Sequence, residues 1–262
     1  MLGSGYPFRM AEPWDLRALA MVHGTDKWGS HWYASHYDKH LRERRSEARR
    51  VLEIGVGGYN DPAMGGASLR MWRDYFPEAT IIGVDVHDKS QLQGERIVTV
   101  QGDQSDTAFL ERLGQSHGPF DLVVDDGSHI CAEVIATFHA LFPFVIDGGT
   151  YAIEDLQSGY WPGTGGSSTD TSSVSTSVGF VKSLVDSLNF RELLLEDYEP
   201  TYLDEHIVGL HCFHNLALVV KGDNDERSNL VQEDHRLPDW VFGPEGEDPE
   251  ASERSEKGSS SD

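Results

Sequence analysis

Two acid pairs close two short apolar runs in this chain. Asp125-Asp126 follows 121–124, and Glu154-Asp155 follows 150–153. Such runs read as buried parallel strands, and in open α/β sheets ligands gather beyond the carboxyl ends of the strands. Four carboxylates delivered there repel one another unless a cation sits among them. Hard oxygen donors suit Mg²⁺ or Ca²⁺, with Mn²⁺ possible. His129 stands three residues after Asp126. An imidazole beside a metal-bound hydroxyl is placed to take its proton. Each residue also has a structural reading. Asp125 serves equally well as a helix N-cap, and His129 as a capping or core histidine.

A second constellation lies upstream. The stretch Val51-Leu-Glu-Ile-Gly-Val-Gly-Gly-Tyr59 is a strand interrupted by Glu53 and followed at once by Gly55, Gly57 and Gly58. Glycines let the backbone turn tightly and bring its N–H groups close to a ligand. Thirty positions after Gly55, the strand at 81–84 ends on Asp85, a carboxylate suited to the two hydroxyls of a ribose. The glycine turn alone is a common feature. In series with a strand-end acid it indicates a nucleoside site.

These groups need a sheet to hold them. Strands are expected at 51–54, 81–84, 97–100, 121–124 and 150–153, with a hairpin of 207–213 and 216–220 around His214-Asn215. Helices are expected at 14–22, 69–76 (ended by Pro77), 107–113, 130–141 and 178–188. The segment 23–40 is rich in aromatics (Trp28, Trp32, Tyr33, Tyr37), and 157–175 is dense in Gly, Ser and Thr and reads as a mobile loop. The fold class is α/β: a doubly wound Rossmann-like sheet, mostly parallel, with an antiparallel C-terminal hairpin and helices on both faces. The expected plan is a helical and aromatic cap over 1–44, a catalytic domain over 45–238 and an acidic, disordered tail over 239–262.

Composition narrows the partners. The net charge is −23 over 262 residues, and the tail from Gly243 contributes only −5 of it. So acidic a body disfavours nucleic acid and anionic membranes. No apolar run approaches the ~18–20 residues of a membrane span, and no secretory leader opens the chain. Cys131 and Cys212 are the two cysteines and form no C-x-x-C, in keeping with a reduced cytoplasm.

Five motifs in order carry a resemblance. Val51–Tyr59, Gly65-Gly-Ala-Ser-Leu-Arg-Met-Trp72, Gly83-Val-Asp-Val-His-Asp-Lys-Ser90, Asp125-Asp-Gly-Ser-His129 and Ile153-Glu-Asp155 with Tyr160-Trp161 resemble the metal-dependent sugar O-methyltransferases of antibiotic biosynthesis. The resemblance runs from about His23 to Gly222. It implies a class I methyltransferase sheet, S-adenosylmethionine as methyl donor, Mg²⁺ held by Asp126, Glu154 and Asp155, and His129 as general base with Asp126 beside it. The acceptor is then a sugar or nucleotide sugar, and the enzyme a homo-oligomer. Macrolide members of the family carry an additional N-terminal domain for which this chain lacks room.

Within that frame, the donor is expected at Glu53, Gly55, Gly57, Ser68, Asp85, Asp103, Gln104 and Asp125. Ser68 and Arg70 are placed near the methionine carboxylate at a helix N-terminus, although Arg70 suits a solvated helix face equally. Tyr33, Tyr37, Tyr160 and Trp161 are expected against the sugar, while the aromatic segment suits a hydrophobic brace as well. His211 and His214 read as structural. A catechol-like acceptor is the competing reading, since one ion would chelate its adjacent hydroxyls. A silent scaffold is disfavoured by the intact acid and histidine set. A dehydrogenase is disfavoured because no Tyr-x-x-x-Lys pair appears and the glycine turn lacks its third glycine at standard spacing.

Overall fold

The structure, a computed structural model, describes residues 15–195 and 197–228. The expected acidic tail lies outside the described residues. Residues 15–188 and 200–224 form one compact unit. Its centre is a seven-stranded sheet: β1 (Arg50–Ile54), β2 (Thr80–Asp85), β3 (Ile97–Gln101), β4 (Phe120–Asp125), β5 (Val145–Ile153), β6 (Ile207–Phe213) and β7 (Leu216–Lys221). The spatial order is β3-β2-β1-β4-β5-β7-β6. The first five strands pair in parallel, and the hairpin adds β7 and β6 antiparallel. The chain leaves β1 in one direction along the sheet and returns to the other side of it through β4. The crevice at this reversal, between β1 and β4, is where doubly wound sheets bind ligands.

Central strands are apolar on both faces because helices cover both. On one face, α1 (Leu16–His23), α2 (Tyr33–Leu41) and α3 (Ala67–Tyr75) close over Val51, Ile81, Leu122 and Val124. On the other, α4 (Thr107–His117), α5 (Cys131–Leu141) and α6 (Ser177–Leu188) close over Leu52, Ile82, Val123 and Tyr151. Alternate residues of one strand thus serve different cores, as a side-chain period of two dictates. Asp15 caps α1 by accepting from the Ala18 N–H at 2.9 Å, and Asp106 caps α4 by accepting from Phe109 at 2.9 Å. The short α7 (Tyr202–His206) starts on a capping box of Thr201 and Asp204.

Three segments differ from the sequence reading. The start of the hairpin-flanking strand β5 lies five residues earlier than expected. Gly148, at φ +73, sits within it, and the pairing with β4 shifts register between Phe120 and Leu122. The aromatic segment forms α2, which shares the core of the sheet. The Gly/Ser/Thr segment after β5 is folded on itself rather than open. It makes short 3₁₀ turns at Leu156–Tyr160 and Pro162–Thr164. Thr164 Oγ1 donates to the Ser158 carbonyl at 2.6 Å, and Ser168 Oγ donates to Tyr160 at 2.7 Å. The hydroxyls that suggested looseness are its internal ties.

A second unit comprises 189–199 and the chain from Asp225. Among its described residues, Phe190–Glu192 is a 3₁₀ turn and Ser228 Oγ donates to Glu192 at 2.8 Å. No helix of the described residues is long and apolar enough to cross a membrane.

Candidate active site

Where β1 ends, Gly55 takes φ +88 and Gly57 φ +74, backbone conformations that side chains disfavour. At Gly55 the need is doubly determined, because a Cβ there would overlap the Asp126 carbonyl. Gly57 is different. A Cβ on it would meet only the Gly65 Cα, at 4.0 Å, so this stretch of backbone faces open space. The Gly66 N–H returns to the Val56 carbonyl at 2.8 Å, setting the start of α3 beside the turn. Asp85, at the end of β2, accepts from the Val56 N–H at 3.1 Å and the His87 N–H at 2.9 Å. It therefore anchors the glycine turn while its remaining lone pairs face the cleft.

These groups line a cleft of about 700 Å³ together with Ser68, Asp103, Gln104, Asp126, His129 and Asp155. That volume suits a nucleoside-sized ligand with a second group beside it. Asp103 is exposed, with one oxygen taken by the Ser105 N–H at 2.8 Å. Gln104 is spent on structure. Its Nε2 donates to Asp125 Oδ1 at 2.7 Å, and its Oε1 accepts from the Ser128 N–H at 2.8 Å. Asp125 is buried and outside the cleft lining. It braces the turn that follows it, and burial raises its carboxyl to about 7 despite the Gln104 hydrogen bond. Asp125, expected at the donor, is thus placed behind the wall. Its neighbour Asp126 faces the cleft, since successive residues leaving a strand point to opposite sides.

Asp126, His129 and Asp155 converge. One donor atom from each lies within 4.8 Å of the others. His129 (φ +57) and Asp155 (φ +51) both hold the left-handed conformation, an uncommon one for side-chain-bearing residues, and this turns them toward each other. His129 Nε2 stands 3.6 Å from Asp155 Oδ2, and His31 Nε2 stands 3.7 Å from Asp155 Oδ1. Burial opposes the charge on Asp155. Hydrogen bonds from Tyr33 and Gln157 and the two imidazoles outweigh it and hold the carboxyl below its ordinary range. Two hard carboxylates and an imidazole in one acidic cleft fit a divalent ion of the Mg²⁺ or Mn²⁺ kind.

Glu154, expected as the third ligand, is not among these converging donors. It is buried, accepts from the Tyr37 hydroxyl at 2.7 Å through Oε1, and meets Lys27 Nζ at 2.8 Å through Oε2. Glu53 is also buried behind the glycine turn, with Lys27 at 3.2 Å. Burial raises its carboxyl to about 7 against the attraction of the ammonium. Tyr33 and Tyr37, expected against the sugar, are buried and outside the cleft lining. The Tyr33 hydroxyl donates to Asp155 Oδ1 at 2.8 Å, so both rings hold acids in place. The reading of this segment as a brace fits that geometry. Tyr160 and Trp161 are exposed and likewise outside the cleft lining.

Lys27 and His31 escaped the sequence reading. Their acid partners lie from 26 to 127 positions downstream, and no local spacing links them. Burial disfavours the Lys27 ammonium, but Asp126, Glu154 and Glu53 outweigh it and keep it charged.

No family model matches the sequence. Individual proteins do. Demethylmacrocin O-methyltransferase of Streptomyces fradiae is 51% identical over 229 residues, covering 87% of this chain and 56% of that protein. The 8-demethyl-8-alpha-L-rhamnosyl tetracenomycin-C 2'-O-methyltransferase of Streptomyces olivaceus is 48% identical over 216 residues, covering 82% of this chain and 57% of its own. Among solved structures, MycE methyltransferase of the mycinamycin biosynthetic pathway, in complex with Mg, SAH and mycinamycin VI, superposes with a TM-score of 0.80 at 46% identity. The match covers 94% of this chain and 60% of MycE. The chain therefore spans little more than half the length of the relatives it matches. With this sheet order, this identity and this agreement in fold, the chain is similar over its matched length to sugar O-methyltransferases of macrolide and tetracenomycin biosynthesis and shares the class I methyltransferase fold of MycE.

Proposed function

We propose that this chain transfers the methyl group of S-adenosylmethionine to a hydroxyl of a deoxysugar, a rhamnosyl-type unit in natural-product biosynthesis. One observation carries the reading: Asp126, His129 and Asp155 converge on the same cleft as the glycine turn and Asp85. The turn and Asp85 take the nucleoside end of the donor, with Ser68 at the start of α3 for its methionine end. An acidic cleft suits a cationic sulfonium.

The acceptor hydroxyl sits between the donor methyl and the two cleft-facing acids. A sugar hydroxyl is a poor nucleophile at neutral pH, so it needs its proton removed. His129 takes that proton as the oxygen–carbon bond forms and the carbon–sulfur bond breaks, leaving neutral S-adenosylhomocysteine. Asp155, 3.6 Å from His129 Nε2, stabilises the imidazolium that results. A divalent ion held by Asp126 and Asp155 would supply Lewis acidity that lowers the pKa of the hydroxyl. Glu154 would join that set by releasing Lys27 or Tyr37. The relative that acts on a rhamnosyl tetracenomycin and the complex of MycE with Mg and SAH both support the reading. A catechol-like acceptor is the runner-up, since adjacent hydroxyls would chelate the same ion.

The test offers methyl-labelled donor to the purified protein with a rhamnosylated aglycone, a nucleotide-linked rhamnose and a catechol, each in Mg²⁺ and in EDTA. Label in a sugar, in Mg²⁺ and not in EDTA, is the expected result. Label in the catechol alone would replace this reading with the runner-up. Full transfer in EDTA would remove the metal from it.

A further inference from the structure

We propose that Lys27 is a positioning residue that preassembles the acidic end of the cleft, so that donor binds before any divalent ion arrives. Lys27 belongs to the turn between α1 and α2. Its side chain is wholly buried and lies outside the cleft lining. The ammonium donates hydrogen bonds to Asp126 Oδ2 at 2.8 Å and Glu154 Oε2 at 2.8 Å, and it also stands 3.2 Å from the buried Glu53 Oε1 as an ion pair. Kept protonated by these three acids, it offers no lone pair for base catalysis. Its role is that of a fixed internal counter-ion.

Two consequences follow from where its neighbours lie. First, Lys27 holds Asp126 through Oδ2 while Asp126 itself lines the cleft. Removing the ammonium would leave buried carboxylates facing one another, a strongly unfavourable arrangement. Second, the residues just before Lys27, namely Gly24, Thr25 and Asp26, form one wall of the cleft. The turn is tied down by His31 N–H to the Asp26 carbonyl at 2.9 Å and by Ala34 N–H to the Lys27 carbonyl at 3.0 Å. The same ammonium therefore pins this wall to the ends of β1, β4 and β5. With Lys27 present, both the acids and the wall are formed without metal. With Lys27 absent, a divalent ion becomes the remaining cation that can gather the acids.

The inference rests on the donor reading above, and the test separates the two. S-adenosylhomocysteine is titrated calorimetrically into the full chain in EDTA and in Mg²⁺, for wild type, Lys27→Met and Lys27→Arg. Wild type should bind with affinities within about threefold in the two conditions. Lys27→Met in EDTA should bind about tenfold or more weakly, because only part of its population holds the competent wall, and Mg²⁺ should recover much of that loss. Lys27→Arg should lie closer to wild type. Hydrogen exchange at 24–32 should quicken in Lys27→Met and slow again with Mg²⁺, a reversal that loss of packing alone would not give. Wild type that binds only in Mg²⁺, or Lys27→Met that binds like wild type in EDTA, overturns the proposal. The wild-type comparison decides even if Lys27→Met does not fold. No binding by wild type in either condition sinks the donor reading itself, and this proposal with it.

Discussion

Replacing Gly55 by alanine should damage the acidic site from the opposite side of the cleft floor. Two costs add. Gly55 holds φ +88, where a side chain costs about 1–2 kcal/mol. Its new Cβ would also overlap the Asp126 carbonyl, so β1 and the 126–129 turn must separate, at about 1–3 kcal/mol for forced overpacking. The sum is about 2–5 kcal/mol, or roughly 4–20 °C in Tm for a unit of this size. Movement of the turn carries Asp126 and His129 with it, and a misplacement of about 1 Å costs on the order of 10²-fold in rate. Gly57→Ala is the control. It carries similar strain, at φ +74, with nothing closer than 4.0 Å, so the strain alone remains, roughly 2–8 °C in Tm. Thermal unfolding by circular dichroism and kcat at saturating donor would compare the two variants. If Gly55→Ala melted with Gly57→Ala and kept wild-type kcat, the contact between the glycine turn and the Asp126 carbonyl would have no part in holding the acids.

Three further outcomes are expected. His129→Ala should lower kcat about 10²–10⁴-fold with donor affinity nearly intact, read by steady-state kinetics beside calorimetry; near wild-type kcat under chemistry-limited conditions would assign the base elsewhere. Asp85→Ala should weaken S-adenosylhomocysteine by on the order of 1–3 kcal/mol, and unchanged affinity would move the ribose away from β2. His40→Gln should flatten the acid limb of stability. Burial, aided by His211, Lys39 and His36, holds the folded-state pKa of His40 below 6.5, so the unfolded chain takes its proton first and stability is lost as pH falls through the unfolded value. Urea unfolding at pH 7 and pH 5 would check this, and an equal loss in variant and wild type would exclude His40 as a source.

The architecture was legible because its signals are local. The central parallel strands are short, largely apolar runs covered on both faces, and β1, β2, β4 and β5 are each closed by a glycine or an acid. A doubly wound sheet places those ends on one edge, so Gly55, Asp85, Asp126 and Asp155 could be assigned to one cleft from their positions after strands. The less regular places were harder to read. Gly148 suggested a strand start and is instead a kink within β5, because β4 pairs on both sides of it, Phe120 with Val145 and Leu122 with Thr150. The serines and threonines after β5 suggested looseness, yet they bond to the segment's own carbonyls.

The sequence by itself therefore determined which chemistry the chain could carry and at which edge of the sheet. Strand periodicity and turn residues are encoded within a few positions of each motif. Only the tertiary structure decided which member of each acid pair meets the cleft. Asp126 faces it and Asp125 does not. Asp155 reaches it through a left-handed turn while Glu154 is drawn back by Lys27 and Tyr37. Tyr33 and Tyr37 likewise became supports for acids once α2 packed against the sheet. A carboxylate's direction and charge are set by what is buried against it, and the partners of Asp126 and Glu154, Lys27 and Tyr37, lie roughly a hundred residues away along the chain.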